Sequence, residues 1–441
     1  MNNNQLNVNV SSKMIWGMPR SLLWGFIGIA LFMTGDGVEQ AFLSKQIVEM
    51  GFSQSQAASV FTAYGITVAL ASWLAALLAD IWGPKRVMLL GLGIWMTFHI
   101  GFLVLGIIPE NLTMMLLMYG LRGFGYPLFV YAFVVWIAYA TPSKKLPGAM
   151  GWFWFAHSLG IGVIGSYLPS YTIPYIGYIG SLWLGLVLII IGGLVGILFT
   201  KGDFGDSSIK KAPVETIKKG ITILFTNPKI ATASVVRIIN QLAVYGFVVA
   251  MPVFLTSNEI GFTISQWLQI WASMYLVNIF FNLIWGLVAN KMAWNKVVQY
   301  FGCIWMAVAC LLFYYVPLQF GANFWLMVAV SGFLGIGLAA FAPMSAIFPA
   351  LDPKNKGAAM SIHNLSAGLS QFIGPALAGL LVMLFDTRGL VWVLAGFYLL
   401  GFYLAKYLKI DPIEEDESNI MGNFSKSDNL GGKQDEYHGT F

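Results

Sequence analysis

The sequence predicts an all-α membrane protein with twelve transmembrane helices in two six-helix, pseudo-symmetric bundles. Hydrophobic residues make up 58% of the 441-residue chain and charged residues only 10%, whereas charged residues are about 25% of a soluble domain. Roughly a dozen apolar runs are long enough to cross a bilayer, and short polar or Pro- and Gly-containing breaks separate them. Lipid is therefore the expected solvent for most of the surface.

The predicted spans fall into two sets of six. The first set is 21–45, 56–79, 87–107, 112–140, 147–169 and 176–199, and the second is 229–255, 265–290, 296–316, 323–350, 357–384 and 390–408. The bundles are thus 21–199 and 229–408, joined by a polar cytoplasmic linker, 200–228. Residues 1–20 are a cytoplasmic N-terminal segment, and the polar residues 409–441 are expected to form a disordered cytoplasmic tail.

An internal repeat relates the two bundles at an offset of 210 residues. Residues 50–80 align without a gap on 260–290, including MGFSQSQ against IGFTISQ, and 120–129 pairs with 332–341 at a similar offset. Two parallel six-helix repeats, with a site between them near the membrane midplane, are a transporter architecture. A chance match between helices rich in Gly and Ala is the alternative.

The basic residues follow the loops. Of the 24 Lys and Arg, only Lys45 and Arg388 lie in the odd-to-even loops and only Arg122 and Arg237 lie inside spans. The positive-inside rule therefore places both termini of a multi-pass membrane protein in the cytoplasm. This alternation explains the net charge of +5 without a nucleic-acid partner.

The motifs of a membrane-embedded enzyme are absent from the sequence. It contains no HExxH, no GxSxG and no Cys/His cluster with metal-ligand spacing. We therefore expect no catalytic residues, no bound metal and no cofactor.

Four charged residues inside the predicted spans require an explanation: Asp36, Glu39, Arg122 and Arg237. Each costs roughly 2.5 to 3.5 kcal/mol if it is left unpaired at the centre of a bilayer. Asp36 and Glu39 stand at positions i and i+3, so they share a helix face that we expect to line the central cavity. Arg122 is assigned to Asp36 as the simplest ion pair, whereas Arg237 is nearer the cytoplasmic helix end, where snorkelling is an alternative.

Such an ion pair suits proton coupling. A neighbouring guanidinium favours the ionised carboxylate, and separation from it in an apolar cavity favours the protonated acid. A static pair that only joins two helices is the alternative. Asp36, Glu39 and Arg122 are therefore the candidate proton-coupling residues, and a proton gradient is the expected driving force.

Polar and aromatic residues of the spans supply candidate substrate contacts. Amide side chains both donate and accept hydrogen bonds, which suits the many neutral hydroxyls of a sugar or sugar alcohol. Interhelical hydrogen bonding is the alternative role for each Asn. The candidate substrate-binding set is Asp36, Glu39, Arg122, Tyr126, Trp154, His157, Arg237, Asn240, Gln241, Trp271, Asn282, His363, Asn364 and Gln371.

The loop after the second span reads ALLADIWGPKR, which resembles the signature of the major facilitator superfamily, with Ala76 in place of its first Gly. By position, the resemblance assigns a cytoplasmic gate to Asp80, Gly83, Lys85 and Arg86. The second copy, GLVANKMAWNK, has Asn290 and Ala293 in place of the Asp and the second Gly. A charged gate is therefore expected in the first half alone.

Further segments extend this resemblance over about residues 16 to 410. FMTGDGVEQAFLS, YGLRGFGYPLF, GWFWFAHSLGIGVIGSYLPS, VRIIN and FPALDPKNKGAAMSIHNLSAGLS are similar to bacterial polyol permeases that import ribitol or D-arabinitol. The resemblance implies the major facilitator fold and a monomer that imports a pentitol by proton symport with alternating access. His157 and His363 stand where such permeases are expected to have Tyr, so the polyol is left open.

Three alternatives remain at this stage. An organic-anion carrier of the same fold would use Arg122 and Arg237 to hold its substrate, although Asp36 and Glu39 argue against it. A carrier of another sugar is also compatible with these residues. A polyol sensor that does not transport would have the same helices.

Overall fold

The computed structural model describes residues 14–142, 145–201, 222–289, 291–353 and 355–409. The predicted disordered tail and most of the predicted linker lie outside these residues. The described chain begins with an antiparallel strand pair, β1 (Met14–Ile15) and β2 (Met18–Pro19), and is otherwise helical and irregular.

The helices of each half follow in chain order. The first half contains α1 (Leu23–Gly37), α2 (Leu43–Glu49), α3 (Gln54–Trp82), α4 (Pro84–Ile107), α5 (Leu112–Arg122), α6 (Gly125–Ala140), α7 (Leu146–Ser158) and α8 (Gly165–Leu198). The second half contains α9 (Pro228–Leu255), α10 (Ile264–Ala289), α11 (Trp294–Phe320), α12 (Phe324–Ala339), α13 (Met344–Leu351) and α14 (Lys356–Ala405).

The described helices agree with the predicted twelve spans. Nine helical stretches of the described residues are long and apolar enough to cross a membrane. Two of them, Gly148–Leu198 and Ala358–Ala405, each contain two spans, because the backbone turns at Gly177 (φ 68°) and at Asp386 (φ 57°). The first predicted span is divided between α1 and α2, and neither helix is long enough to be one of these nine stretches.

The internal repeat has a structural counterpart where α3 and α10 begin. The Ser53 hydroxyl accepts from the Gln56 amide at 3.2 Å, and the Gln56 side chain accepts from the Ser53 amide at 2.8 Å. Thr263 and Gln266 form the same reciprocal pair, at 3.1 and 2.9 Å. The glycine two residues before each cap has a positive φ, 93° and 88°. The offset of 210 therefore relates equivalent helix starts with the same capping box.

The loops after α3 and α10 differ, as their sequences indicate. Gly83 joins α3 to α4 at φ 81°, a conformation that glycine adopts without steric cost. Its counterpart Ala293 has φ −55°. Asn290 lies outside the described residues.

The two halves meet along α3 and α14. Gly65 of α3 lies directly against the backbone of Gln371 in α14. At the end of the bundle that carries the 50–53 and 256–263 loops, here called the distal end, further bonds cross the interface. Ser44 donates to the Val248 carbonyl at 2.9 Å, and the Trp267 indole donates to the Ala41 carbonyl at 2.6 Å. The halves are therefore in direct contact at the distal end.

Candidate functional site

The first span is interrupted where its acids lie, so the prediction of a continuous helix over 21–45 is wrong. α1 ends at Gly37, the chain turns over 38–42, and α2 begins at Leu43. Glycines at 35 and 37 weaken the helix, and the Ala41 carbonyl accepts the Trp267 indole instead of bonding within a helix. The interruption leaves Asp36 on α1 and places Glu39 in the turn.

Arg122, at the end of α5, forms an ion pair with Glu39. Both side chains are about 1% exposed. The predicted pair of Arg122 with Asp36 is therefore wrong, because the break after Gly37 turns Glu39 toward α5 while Asp36 faces α3 and α4. Burial makes this pair costly to disturb, since either charge left alone is out of reach of water.

His99 of α4 is the second partner of Arg122 and was not selected from the sequence. Its Nδ1 lies 2.7 Å from Arg122 Nη1, and its Nε2 lies 3.2 Å from the Leu182 carbonyl. A guanidinium only donates and a carbonyl only accepts, so His99 is neutral and carries its hydrogen on Nε2. The available signal was that a buried Arg needs several acceptors and that α4 offers a His.

Three aromatic rings surround the same guanidinium. The Arg122 Cζ atom lies 4.2 Å from the Tyr119 ring centroid, 4.6 Å from that of Trp95 and 5.3 Å from that of Tyr64. Ring faces attract a cation at these distances, and more strongly away from water. The aromatic cage and the ion pair together offset the loss of hydration of Arg122.

Asp36 is bound by neutral donors alone. Its carboxylate accepts from the Trp95 indole at 2.8 Å, the Tyr64 hydroxyl at 3.3 Å and the Gln40 amide at 3.4 Å. Within the described chain, no cationic nitrogen lies within 4 Å of it. Asp36 and Glu39 are thus two buried carboxyl groups in different settings, one hydrogen-bonded and one ion-paired.

A small cavity separates this cluster from the second half. Its volume is about 20 Å³, room for about one water molecule. It is lined by Gln40, Phe61, Tyr64, Tyr119, Tyr245, Val248, Gln371 and Pro375. Asp36 and Glu39 were expected to line the central cavity, but Tyr64 and Tyr119 cover them. Tyr64 therefore connects Asp36 to the cavity wall.

The role of His99 is testable by two substitutions. His99→Leu leaves Arg122 Nη1 and the Leu182 carbonyl without their partner, and a buried unsatisfied group costs about 1 to 3 kcal/mol. We expect a lower melting temperature in detergent. His99→Gln keeps one acceptor and one donor, so it is expected to recover most of the loss. Equal melting temperatures for the Leu and Gln variants would contradict the proposed stabilising role of the two His99 hydrogen bonds.

Tyr126 of α6 and His157 of α7 lie together in the first half. The Tyr126 hydroxyl lies 3.3 Å from His157 Nε2 and 3.4 Å from the Tyr131 hydroxyl. Trp154 packs edge-on against His157 and is 46% exposed. These three predicted substrate residues are therefore neighbours.

Arg237 and His363 of the second half are also in contact. Arg237 Nε donates to His363 Nε2 at 3.2 Å, and His363 Nδ1 lies 3.3 Å from the side-chain oxygen of Asn364. Gln241, one turn along α9, accepts from Ser370 at 3.3 Å. Gln371 lines the cavity. These members of the predicted set all lie where α9 meets α14.

Three predicted substrate residues lie elsewhere. Trp271 is 1% exposed and stacks on Trp267 at 5.2 Å, and it is not among the residues that line the described cavity. Asn282 donates to Asn278 at 3.1 Å, and Asn278 reaches the Gly335 carbonyl of α12. Asn240 is buried, and its main-chain carbonyl accepts from the Tyr398 hydroxyl at 3.0 Å. The two predicted Asn contacts therefore lie at helix-packing interfaces.

Two of the predicted gate residues, Asp80 and Lys85, lie against α6 of their own half. The Tyr139 hydroxyl donates to Asp80 at 3.3 Å, and the Lys85 ammonium lies 5.3 Å from the Trp136 ring centroid. Arg86 is exposed and Gly83 forms the turn. Asp80 and Lys85 thus join the loop to α6.

The family follows from comparison with known proteins. The model of the Major Facilitator Superfamily matches residues 21–301 and 233–426. The chain belongs to this superfamily. The predicted fold, and a multi-pass membrane transporter in place of an enzyme, are thereby confirmed.

Three transporters with named substrates are similar to this chain over almost its whole length. The ribitol transporter of Klebsiella pneumoniae is 44% identical over 92% of this chain and 95% of its own length. The D-arabinitol transporter of the same organism is 43% identical over 92% and 96%. The alpha-ketoglutarate permease of Bacillus subtilis (strain 168) is 36% identical over 97% and 99%. Strong similarity therefore extends to transporters of different named substrates.

A solved superfamily structure has the same fold. The nucleoside transporter NupG superposes with a TM-score of 0.72 at 15% identity, covering 88% of this chain and 99% of that one. At this identity the likeness supports the fold alone.

Proposed function

We propose that this superfamily member imports a pentitol, such as ribitol or D-arabinitol, by proton symport. The substrates named for the two Klebsiella transporters support the pentitol. The observation that carries the coupling is the bond from Tyr64 to Asp36, because Tyr64 also lines the cavity between the halves. A proton bound at Asp36 and a polyol bound in the cavity therefore act on one shared hydroxyl.

Asp36 is the proton-binding group in this proposal. Glu39 is ion-paired with Arg122, whereas the described side chains that donate hydrogen bonds to Asp36 are all neutral. Protonation of Asp36 weakens the hydrogen bond that it accepts from the Tyr64 hydroxyl, since a neutral acid is a poorer acceptor than a carboxylate. The hydroxyl is then available to a polyol, so proton and substrate favour the same state.

The size of the cavity supports alternating access. About 20 Å³ is far below the roughly 300 Å³ at which ligand pockets begin, so binding requires the halves to move apart. With both termini in the cytoplasm of the bacterial inner membrane, the distal end faces outward. The contacts at the distal end then belong to a state closed to the outside.

The test is uptake of labelled ribitol and D-arabinitol into proteoliposomes with an inward proton gradient. Asp36→Asn is expected to abolish gradient-driven accumulation and to retain counterflow exchange. Asp386→Asn makes the same change at an exposed turn whose positive φ suits Asn, and it is expected to behave as the native chain. Accumulation that survives Asp36→Asn would exclude Asp36 as the coupling group, and absence of uptake of both polyols would exclude the substrate.

A second candidate is a carrier of organic anions. The Bacillus relative named alpha-ketoglutarate permease supports it, and so does Arg237, which has no carboxylate partner among the described residues. A dicarboxylate carries two negative charges, but Glu39 already neutralises Arg122, so Arg237 is left to pair with one of them. This argues against the second candidate. Uptake of labelled 2-oxoglutarate in the same proteoliposomes distinguishes the two candidates.

A further inference from the structure

Arg237, which is partly buried, differs from Arg122, the buried arginine of the spans, in having no acidic partner. Arg122 is neutralised by Glu39. In the parts of the chain that the structure describes, no Asp or Glu oxygen lies within 4 Å of the Arg237 guanidinium. Its Nη1 atom is buried and has no hydrogen-bond partner among those residues. An uncompensated cation in the membrane core is costly, and such residues mark ligand pathways.

The orientation of this guanidinium is set by His363. His363 Nε2 accepts from Arg237 Nε, so the hydrogen of a neutral His363 is on Nδ1, where the Asn364 carbonyl oxygen accepts it. Packing of His363 against Phe348, edge-on at 5.1 Å between ring centroids, limits the movement of the imidazole. With Nε occupied, the terminal nitrogens are the edge that is left for a ligand.

The guanidinium lies where the two halves meet. Tyr131 of α6 and Tyr245 of α9 are close enough to interact electrostatically with it. Tyr245 also lines the cavity, as does Gln371. Arg237 is therefore within electrostatic range of one tyrosine from each half, and one of the two, Tyr245, lines the cavity.

We propose that Arg237 is a carboxylate-binding subsite, and that the chain binds a pentonate, the sugar acid of a pentitol, more tightly than the pentitol itself. The terminal nitrogens of Arg237 donate to the carboxylate, a geometry that a guanidinium supports and that cancels its charge. The remaining hydroxyls meet the same Tyr and Gln side chains that a pentitol uses. The assignment of this second group of contacts rests on the proposed polyol function.

One unpaired cation fits one carboxylate. A monocarboxylate leaves the subsite neutral, whereas a second carboxylate of a dicarboxylate meets no second unpaired buried cation among the described residues. The uncharged side chains that line the cavity are suited to hydroxyls. These two properties together favour a polyhydroxy monocarboxylate.

The test is equilibrium binding of D-ribonate and ribitol to the purified, detergent-solubilised protein. The native chain is expected to bind D-ribonate about 10- to 100-fold more tightly, as charge-assisted hydrogen bonds predict. Arg237→Gln is expected to lose that advantage, so that D-ribonate and ribitol then bind within about 3-fold of each other. Arg237→Lys keeps the charge without the planar fork, so an intermediate affinity is expected.

Arg388→Gln is the matched control, because it removes a guanidinium from an exposed position at the distal end. It is expected to change neither affinity, and melting temperatures verify that every variant is folded. If D-ribonate binds no better than ribitol, or if Arg237→Gln weakens both ligands equally, the subsite is overturned. Tight D-ribonate binding in a chain that neither binds nor takes up ribitol would support the subsite and overturn the pentitol proposal alone.

Discussion

Arg122→Gln is expected to lower the free energy of unfolding by about 3 to 5 kcal/mol and to abolish transport. The substitution leaves Glu39 as a buried carboxylate without its cation and removes the donor to His99. It also empties the centre of the cage of Tyr119, Trp95 and Tyr64. The measurements are the denaturation midpoint of the purified protein and ribitol uptake.

A double variant separates the ion pair from the polar contacts around it. Glu39→Gln combined with Arg122→Gln removes both charges, and two amides can hydrogen-bond to each other, so much of the lost stability is expected to return. Glu49→Gln is the control, because it removes an ion pair at the surface. The Glu49 carboxylate lies 3.3 Å from the Lys45 ammonium, and the Glu49 side chain is 45% exposed. Its expected cost is below about 1 kcal/mol. An Arg122→Gln effect as small as this control would contradict the proposed role of burial.

Gly65→Val is expected to abolish uptake while leaving the protein folded. A Cβ atom at this position would overlap the backbone of Gln371 and Phe372, and backbone cannot rotate away as a side chain can. The variant therefore cannot adopt the present contact between α3 and α14. Because the proposed alternating-access cycle passes through each state in turn, excluding one state is expected to stop transport.

The state of this variant can be measured directly. Ser44→Cys places a thiol at the distal contact, where Ser44 is buried and bonded to Val248, while the native Cys303 and Cys310 are themselves buried. Adding Gly65→Val is expected to raise the rate at which maleimide labels the introduced thiol. Gly93→Val is the control, because a Cβ there meets no atom within 4 Å. Normal uptake by Gly65→Val would mean that this contact is not part of the cycle.

The sequence determined the features that depend on local composition. Twelve spans follow from apolar length, and the two-half repeat follows from glycine and capping residues, whose geometry recurs at Ser53 and Thr263. The four charges within the spans were also evident, because a charged side chain in an apolar run stands out without knowledge of its neighbours.

Only the tertiary structure decided which of these groups meet. A helix turns about 100° per residue, so the interruption over 38–42 redirects every side chain that follows, and Glu39 replaces Asp36 as the partner of Arg122. The sequence signal for His99 was weak and Trp95 had none of its own, because both residues act by facing Arg122 and Asp36 from another helix. Arg237 has no acidic partner among the described residues, and this likewise depends on helix rotation. Helix rotation is set by packing between distant segments and not by the residues next to Arg237 in the sequence.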